Sequence, residues 1–100
     1  MIRNVVMGRL RPDADLDLLE AGFAGLRALC ADARIEGLLT LECGRDAGLR
    51  DGNWDYAITA DLADEQAYRR YDEDDEHNRL RRENFGPVSE QIVRVQYVVD

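Results

Sequence analysis

The stretch WDYAITADLADEQAYRRY, residues 54–71, predicts a strand that leads directly into a helix. Residues 54–61 form the strand. Asp64 then begins the helix, because an Asp side chain can accept a hydrogen bond from a free N–H of the first turn. Ala67, Tyr68 and Tyr71 lie on one side of that helix. This strand–helix pair is the second half of the fold.

The first half lies upstream and repeats the order of strand and helix. Residues 2–10 predict a strand that ends at Pro12, since proline cannot continue a ladder. Apolar residues then recur at three- and four-residue steps over 16–33, which indicates an amphipathic helix capped by Asp13 or Asp15. Residues 35–43 alternate as a strand does.

The remaining segments complete the order. The Gly- and Asp-rich residues 44–53 predict an exposed loop between the second and third strands. Residues 75–84 predict a further helical piece, Gly86 and Pro87 end it, and residues 91–99 predict the last strand. The order is β-α-β-β-α-β in one domain over 1–100. It predicts an α+β, ferredoxin-like fold with a four-stranded antiparallel sheet and helices on one face.

Three of the predicted strands, the first, the second and the last, carry a clear apolar face. These faces consist of Val5 and Met7 in the first strand, Ile35, Gly37, Leu39, Leu41 and Cys43 in the second, and Val93, Val95, Tyr97 and Val99 in the last. We expect these faces to pack on the helices. The opposite face mixes Val, Leu and Ile with polar groups. It predicts a homodimer whose two sheets face each other and close into a barrel.

Composition limits the possible partners. The chain has a net charge of −8, which disfavours nucleic acid as a partner because phosphate binding needs a basic surface. All 13 basic residues are arginine. No apolar run approaches the length of a membrane span, and the first residues lack the features of a signal peptide. We therefore expect a cytoplasmic protein without a membrane partner.

No pattern for metal or cofactor binding is present. Cys30 and Cys43 match no metal-ligand spacing. The acidic run 72–76 resembles the start of a calcium loop, but His77 stands where that loop needs glycine. The run is better explained as acids at a helix start, with Asp75 and Arg79 as an i,i+4 pair, although a loosely held surface Mg²⁺ stays an alternative. We expect no metal site and no cofactor.

Nearly the whole chain resembles the stress-responsive A/B barrel (Dabb) family of dimeric α+β barrels. The resemblance rests on MIRNVVMGRL, WDYAITADLADEQAYRRY, YDEDDEHNRL and the closing RVQY. It implies a homodimer with a cleft between sheet and helices in each protomer. Most members have no established activity, whereas some cyclise or dehydrate polyketide-like substrates without a cofactor, and related barrels oxygenate phenols.

The family motif Y-x-x-H-P-x-H implies two catalytic residues. Tyr71 matches its tyrosine and His77 its last histidine, so the resemblance implies His77 as base and Tyr71 as proton donor. Asp74 and Asp75 replace His-Pro. The alternative is that His77 packs and hydrogen-bonds locally at a helix start.

Four further residues are candidate pocket-lining groups. Asn4 and Gln96 stand where the family usually has His and Asp, and Tyr56 stands where some members place a His. Arg94 is a charge in the middle of the last strand. Either Glu36, Glu42 or an acid of the partner subunit neutralises it, or it binds an anionic group of a substrate.

Three functions remain open. The first is a small-molecule pocket with cofactor-free acid/base chemistry, of the cyclase or lyase kind, on a polyketide-like or β-keto substrate. The second is a non-enzymatic stress or stability protein that acts as a dimer. The third is a cofactor-free monooxygenase, with which Trp54 and the tyrosines are compatible. An enzyme needs a cavity that touches both His77 and Tyr71.

Overall fold

The computed structural model describes all residues from 1 to 100 and confirms the predicted α+β, ferredoxin-like architecture. A π-helical segment interrupts the second helical region. In chain order the elements are β1 Ile2–Leu10, α1 Leu16–Ala31, β2 Leu38–Arg45, β3 Tyr56–Leu62, α2 Glu65–Glu73, α3 Asp75–Leu80, the π-helical segment Arg81–Phe85, α4 Gly86–Val88 and β4 Ser89–Val98.

The four strands form one antiparallel sheet in the order β2-β3-β1-β4. Asn4 pairs with Ala60 of β3 and with Gln96 of β4. Val6 in turn has Arg94 opposite it on β4. The two central strands, β1 and β3, therefore carry the side chains nearest the middle of the sheet, and β4 is an outer strand.

The expected orientation of β1 and β4 is wrong. Asn4 and Gly8 are buried beneath the helices, whereas Met7, Val95 and Tyr97 are exposed on the other face. Opposite residues of an antiparallel pair share a face. The open face of the sheet therefore carries this apolar patch, to which Val5 and Val93 also belong, beside the Arg3–Asp61 ion pair. The face with Asn4 lies under the helices, where it contributes to the core and lines part of a cavity.

The expectation for β2 is met only in part. Leu41 is buried as expected, whereas a register shift between Leu38 and Thr40 leaves Leu39 52% exposed.

Caps set the starts of the helices at the expected acids. Asp15 accepts a hydrogen bond from the backbone N–H of Asp17 at 3.0 Å, and Asp64 accepts one from Ala67 at 2.8 Å. These bonds satisfy N–H groups that the first helical turn leaves free. Asp15, not Asp13, is therefore the cap of α1.

Helix α1 packs closely against the second helical region. A Cβ at Gly22 would lie 2.8 Å from the ring of Phe85, and one at Gly25 would lie 2.7 Å from Leu80. The missing side chains thus let α1 approach α3 and the π-helical segment. The core beneath includes the fully buried Leu19, Phe23 and Leu62.

No helix combines the length and the apolar character needed to cross a membrane.

Candidate active site

A cavity of about 280 Å³ lies between the mixed face of the sheet and the second helical region. Five of the six candidate residues lie on its wall, namely Tyr71, His77, Tyr56, Asn4 and Arg94. The rest of the wall is largely apolar and consists of Val6, Leu26, Ile58, Tyr68, Phe85 and Ile92, with Asp72 and Arg81 beside them. A mostly apolar cavity with a few polar groups is typical of a small-molecule site.

The break between α2 and α3 brings Tyr71 and His77 together. Asp74 stands at the break with extended backbone angles, and its carboxylate accepts a hydrogen bond from the backbone N–H of His77 at 2.9 Å. The rings of Tyr71 and His77 then stack with centroids 4.0 Å apart and planes 32° apart. Asp74 therefore holds the imidazole in position, although it stands where the family motif has His.

The imidazole of His77 is buried and incompletely bonded. The side-chain Nδ1 has no hydrogen-bond partner in the chain. Burial lowers the pKa of His77 to about 4, and the positive charge of Arg81 acts in the same direction. Asp72 and Asp74 oppose this shift. His77 is therefore neutral at neutral pH, and its buried Nδ1 is left without a partner.

The hydroxyl of Tyr71 stays protonated, because burial raises its pKa whereas burial lowers that of His77. Burial raises the pKa of Tyr71 well above its usual value, and the charges of Arg81 and Arg94 offset only part of that rise. The hydroxyl makes no hydrogen bond within the chain. Tyr71 is thus a protonated donor beside a neutral imidazole, and this pair of states is the one that acid/base chemistry on a neutral carbonyl compound needs.

Tyr56 forms one end of the cavity and is tightly held. Its hydroxyl lies 2.7 Å from the hydroxyl of Ser89, and burial raises its pKa. Its ring lies across Gly8, where an added Cβ would be only 2.0 Å from the ring carbon Cζ. Tyr56 also borders a second cavity of about 500 Å³, whose lining includes Met7 and Ala57 and the loop after β2. Met7 and Ala57 are paired on the open face of the sheet, so the sheet lies between the two cavities.

Asn4 and Gln96 act together. Asn4 is only 2% exposed, and its Oδ1 accepts a hydrogen bond of 2.8 Å from Nε2 of Gln96. Gln96 itself does not line the cavity and instead orients the amide of Asn4. The amide nitrogen of Asn4 is left to donate to a ligand or a water.

Arg94 has no partner within the chain. Neither Glu36 nor Glu42 forms the ion pair that the sequence suggested. Glu42 lies on the opposite face of the sheet, opposite Thr59 of β3. The backbone carbonyl of Glu36 accepts a hydrogen bond from Arg70. The guanidinium of Arg94 is therefore free on the cavity wall.

Two charged groups of the cavity wall were not predicted. Arg81 lies 3.3 Å from a carboxylate oxygen of Asp72 and 3.2 Å from the amide oxygen of Asn78. Arg81 is the first residue of the π-helical segment, whose Gly86 N–H donates to the carbonyl of Arg81. Nothing in the sequence pattern signals this extra residue per turn, so the direction of Arg81 could not be inferred.

The acidic run serves structural pairs. Glu76 and Glu83 bind Arg79, so the expected pair of Asp75 with Arg79 does not form. Asp74 binds Arg34 at 3.0 Å. No group of three or more His, Cys, Asp or Glu side chains is placed to share a metal ion.

The comparisons with known proteins agree with this architecture. A dimeric ferredoxin-like protein of unknown function from Thermobifida fusca superposes with a TM-score of 0.86 at 30% identity, over 98% of this chain and 90% of that one. A Dabb family protein from Mesorhizobium loti gives 0.70 at 26% identity, over 98% and 95%. A hydroxynitrile lyase from Passiflora edulis gives 0.80 at 16% identity, over 99% and 93%, and shares the fold alone.

No functionally curated protein sequence is significantly similar to the chain. The family model that describes the stress-responsive A/B barrel domain matches residues 2–99. The chain belongs to the stress-responsive A/B barrel (Dabb) domain family.

Proposed function

We propose that the cavity is a small-molecule site in which His77 and Tyr71 carry out cofactor-free proton transfer on a β-keto, polyketide-like substrate. The observation that carries the proposal is the stacked pair itself. A neutral imidazole with an unpartnered Nδ1 and a protonated phenol without a partner lie 4.0 Å apart, ring to ring, on one cavity wall.

The roles follow from the protonation states. Neutral His77 accepts the proton from the carbon next to the substrate carbonyl, and the hydroxyl of Tyr71 donates a hydrogen bond to the oxygen that becomes the enolate. A pKa of about 4 makes His77 a weak base in the empty cavity. The enolate formed beside it carries negative charge, which stabilises the imidazolium as the proton moves.

Asp72 and Asp74 support this step. Both carboxylates act to raise the pKa of His77 against the effect of burial. When a ligand displaces water from the cavity, their attraction for the imidazolium strengthens, because charges interact more strongly in a medium of low dielectric constant. The two carboxylates thus stabilise the imidazolium of His77 when a ligand is bound, whereas His77 stays neutral in the empty cavity.

The similar hydroxynitrile lyase is compatible with lyase chemistry on this fold, but its low identity supports the fold alone. The monooxygenase alternative receives less support. Trp54 lies at the second cavity, where the guanidinium of Arg9 stacks on it at 4.4 Å, and it does not reach Tyr71 or His77.

The homodimer is part of the same proposal. The open face of the sheet exposes Val95 by 58% and Tyr97 by 48%, an apolar surface that a second copy would cover. The dimeric T. fusca protein supports this arrangement. A non-enzymatic dimeric stress protein is the second candidate, and this open face is the observation that favours it.

Hydrogen exchange into a β-keto thioester tests the proton transfer without knowledge of the final product. The N-acetylcysteamine thioester of 3-oxohexanoate is incubated in D2O, and loss of its C2 proton signal is followed by NMR. His77→Ala should lower the protein-dependent rate about 100-fold, and Tyr71→Phe about 10-fold, since positioned acids and bases contribute factors of this order. The acid limb of the rate should lie near pH 4, where His77 becomes protonated.

Tyr97→Phe is the matched control, because Tyr97 lies on the opposite face of the sheet. It should exchange at the wild-type rate. Equal rates for the wild-type protein and His77→Ala would refute the proposed chemistry and leave the non-enzymatic dimer as the function to test.

A further inference from the structure

Arg94 is a charged group that the proposed proton transfer does not use. It lies in the middle of β4, opposite Val6 of β1, and its side chain is on the cavity side of the sheet. The other arginine of the cavity, Arg81, is held by Asp72 and Asn78. Arg94 has no hydrogen bond or ion pair within the chain, so its five N–H donors are free.

The charge of the cavity is opposite to that of the protein. Its ionised groups are Arg81, Arg94 and the single carboxylate of Asp72, since His77 is neutral. Asp72 is engaged by Arg81, which leaves one positive charge on the wall. The whole chain has a net charge of −8. A positive site attracts an anionic ligand, whereas the negative charge of the rest of the protein repels it.

Arg94 shares the compartment with the proposed chemistry. Its charge acts on the hydroxyl of Tyr71, where it lowers the pKa against the effect of burial. On the sheet it is a diagonal neighbour of Asn4, which also lies on the cavity wall and whose amide nitrogen makes no hydrogen bond within the chain. A guanidinium and an amide together suit the two oxygens of a carboxylate.

The rest of the wall fits the body of such a ligand. Val6, Leu26, Ile58 and Phe85 provide an apolar surface, and the volume of about 280 Å³ limits the ligand to a small molecule. Ile92 flanks Arg94 on the outer strand, and both residues are exposed to solvent. The charged end of the ligand therefore lies at the mouth of the cavity and the apolar body lies inside it.

We propose that Arg94 binds the carboxylate of the ligand, so that the substrate class is a small organic acid with an apolar body. This inference rests on the proposed small-molecule cavity and adds the group that determines its ligand specificity. With the carboxylate on Arg94, the neighbouring carbons extend toward Tyr71 and His77.

A matched pair of probes tests this inference. The ¹H–¹⁵N spectrum of the full chain is titrated with 3-phenylpropanoate and with its neutral counterpart 3-phenylpropanamide. The wild-type protein should bind the carboxylate about 10-fold more tightly than the amide, because a hydrogen bond to a charged group is worth roughly that factor. The shifts should include the backbone amides of Tyr71 and His77.

Arg94→Gln should remove that preference and leave binding of 3-phenylpropanamide unchanged. Arg82→Gln is the control, because Arg82 follows Arg81 directly but is exposed and makes no side-chain contact with the cavity. It should keep the wild-type preference. Because binding of the neutral amide does not need Arg94, it reports on the cavity alone.

Each other result overturns a defined statement. If both probes bind with equal affinity to the wild-type protein, Arg94 is not a carboxylate anchor, although the cavity stands. If Arg94→Gln keeps the preference for the carboxylate, Arg94 is not the group that binds it. If the wild-type protein shows no preference and Arg94→Gln weakens the dimer in sedimentation, Arg94 forms an ion pair with the partner subunit instead. If neither probe binds at 10 mM, this inference fails together with the proposed cavity function.

Discussion

The two faces of the sheet are used in different ways. The face under the helices carries buried core residues such as Ile58, and it also places Asn4 and Arg94 on the wall of a cavity. The open face presents Val95 and Tyr97 to solvent. Because large apolar side chains are rarely left exposed together, the open face suits the proposed dimer contact, whereas the cavity suits the proposed ligand.

The largest expected effect comes from a charge placed on the open face. In the proposed dimer, Val95→Asp buries a carboxylate from each protomer without a partner, and we expect dimer dissociation to become at least about 1,000-fold easier. Sedimentation of the wild-type protein and the variant over a range of concentrations measures this change.

Leu49→Asp is the control for the open-face variant. Leu49 is 90% exposed and lies in the loop between β2 and β3, away from the sheet face. It should leave the dimer unchanged. A dimer of normal affinity in Val95→Asp would mean that the apolar face has another use.

The next prediction concerns the inner face and the proton of His77. The pKa of His77 is about 4 in the folded protein and about 6.5 in the unfolded chain. As the pH falls, the unfolded chain binds this proton first. The contribution of neutral His77 to the free energy of unfolding is therefore fully present above pH 6.5. It decreases below that pH and is lost as the pH falls through 4, by about 3 kcal/mol in total.

Urea unfolding at fixed protein concentration, repeated between pH 7.5 and pH 4, measures this loss. His77→Phe cannot take up the proton and keeps a ring against Tyr71, so its free energy of unfolding should fall less than that of the wild-type protein across the same range. Arg3 lowers the pKa of Asp61, so protonation of Asp61 also reduces the free energy of unfolding, but at lower pH and equally in both proteins. Parallel profiles would show that His77 is accessible to water in the folded state.

The smallest of the three effects tests how tightly the inner face is packed around Tyr56. Gly8→Ala places a Cβ 2.0 Å from the ring of Tyr56, so the ring must move away from Ser89. We expect a loss of about 2 kcal/mol in the free energy of unfolding, as is typical of overpacking. Thermal or urea unfolding measures it.

Gly44→Ala provides the matched control, since Gly44 is also in a strand and an added Cβ there has no neighbour within 4 Å. It should be neutral or slightly stabilising. If the two variants lose the same stability, the contact between Gly8 and Tyr56 does not constrain the sheet.

The order of the elements could be predicted because each has a local signal. Asp15 and Asp64 mark helix starts, and Pro12 ends the first strand. The faces of β1 and β4 could not be assigned in this way. The two-residue period shows which side chains share a face, but an apolar face fits a core under the helices as well as a dimer contact.

The candidate site was predictable only in part. Tyr71 and His77 could be placed together because a helix break between them is visible in the acidic run around Asp74. The direction of Arg81 depends on the π-helical segment that it begins, which is a consequence of packing in three dimensions and has no repeat in the sequence. The sequence also could not predict that Arg94 lacks an ion-pair partner within the chain, because several acidic residues were available to pair with it.

The close approach of Gly8 to the ring of Tyr56 has a consequence for how these two positions can vary. The ring occupies the space that any side chain at position 8 would need. A larger residue at position 8 is therefore compatible with the sheet only when position 56 carries a smaller one. We expect the two positions to change together among related sequences, since neither can change in size alone without strain.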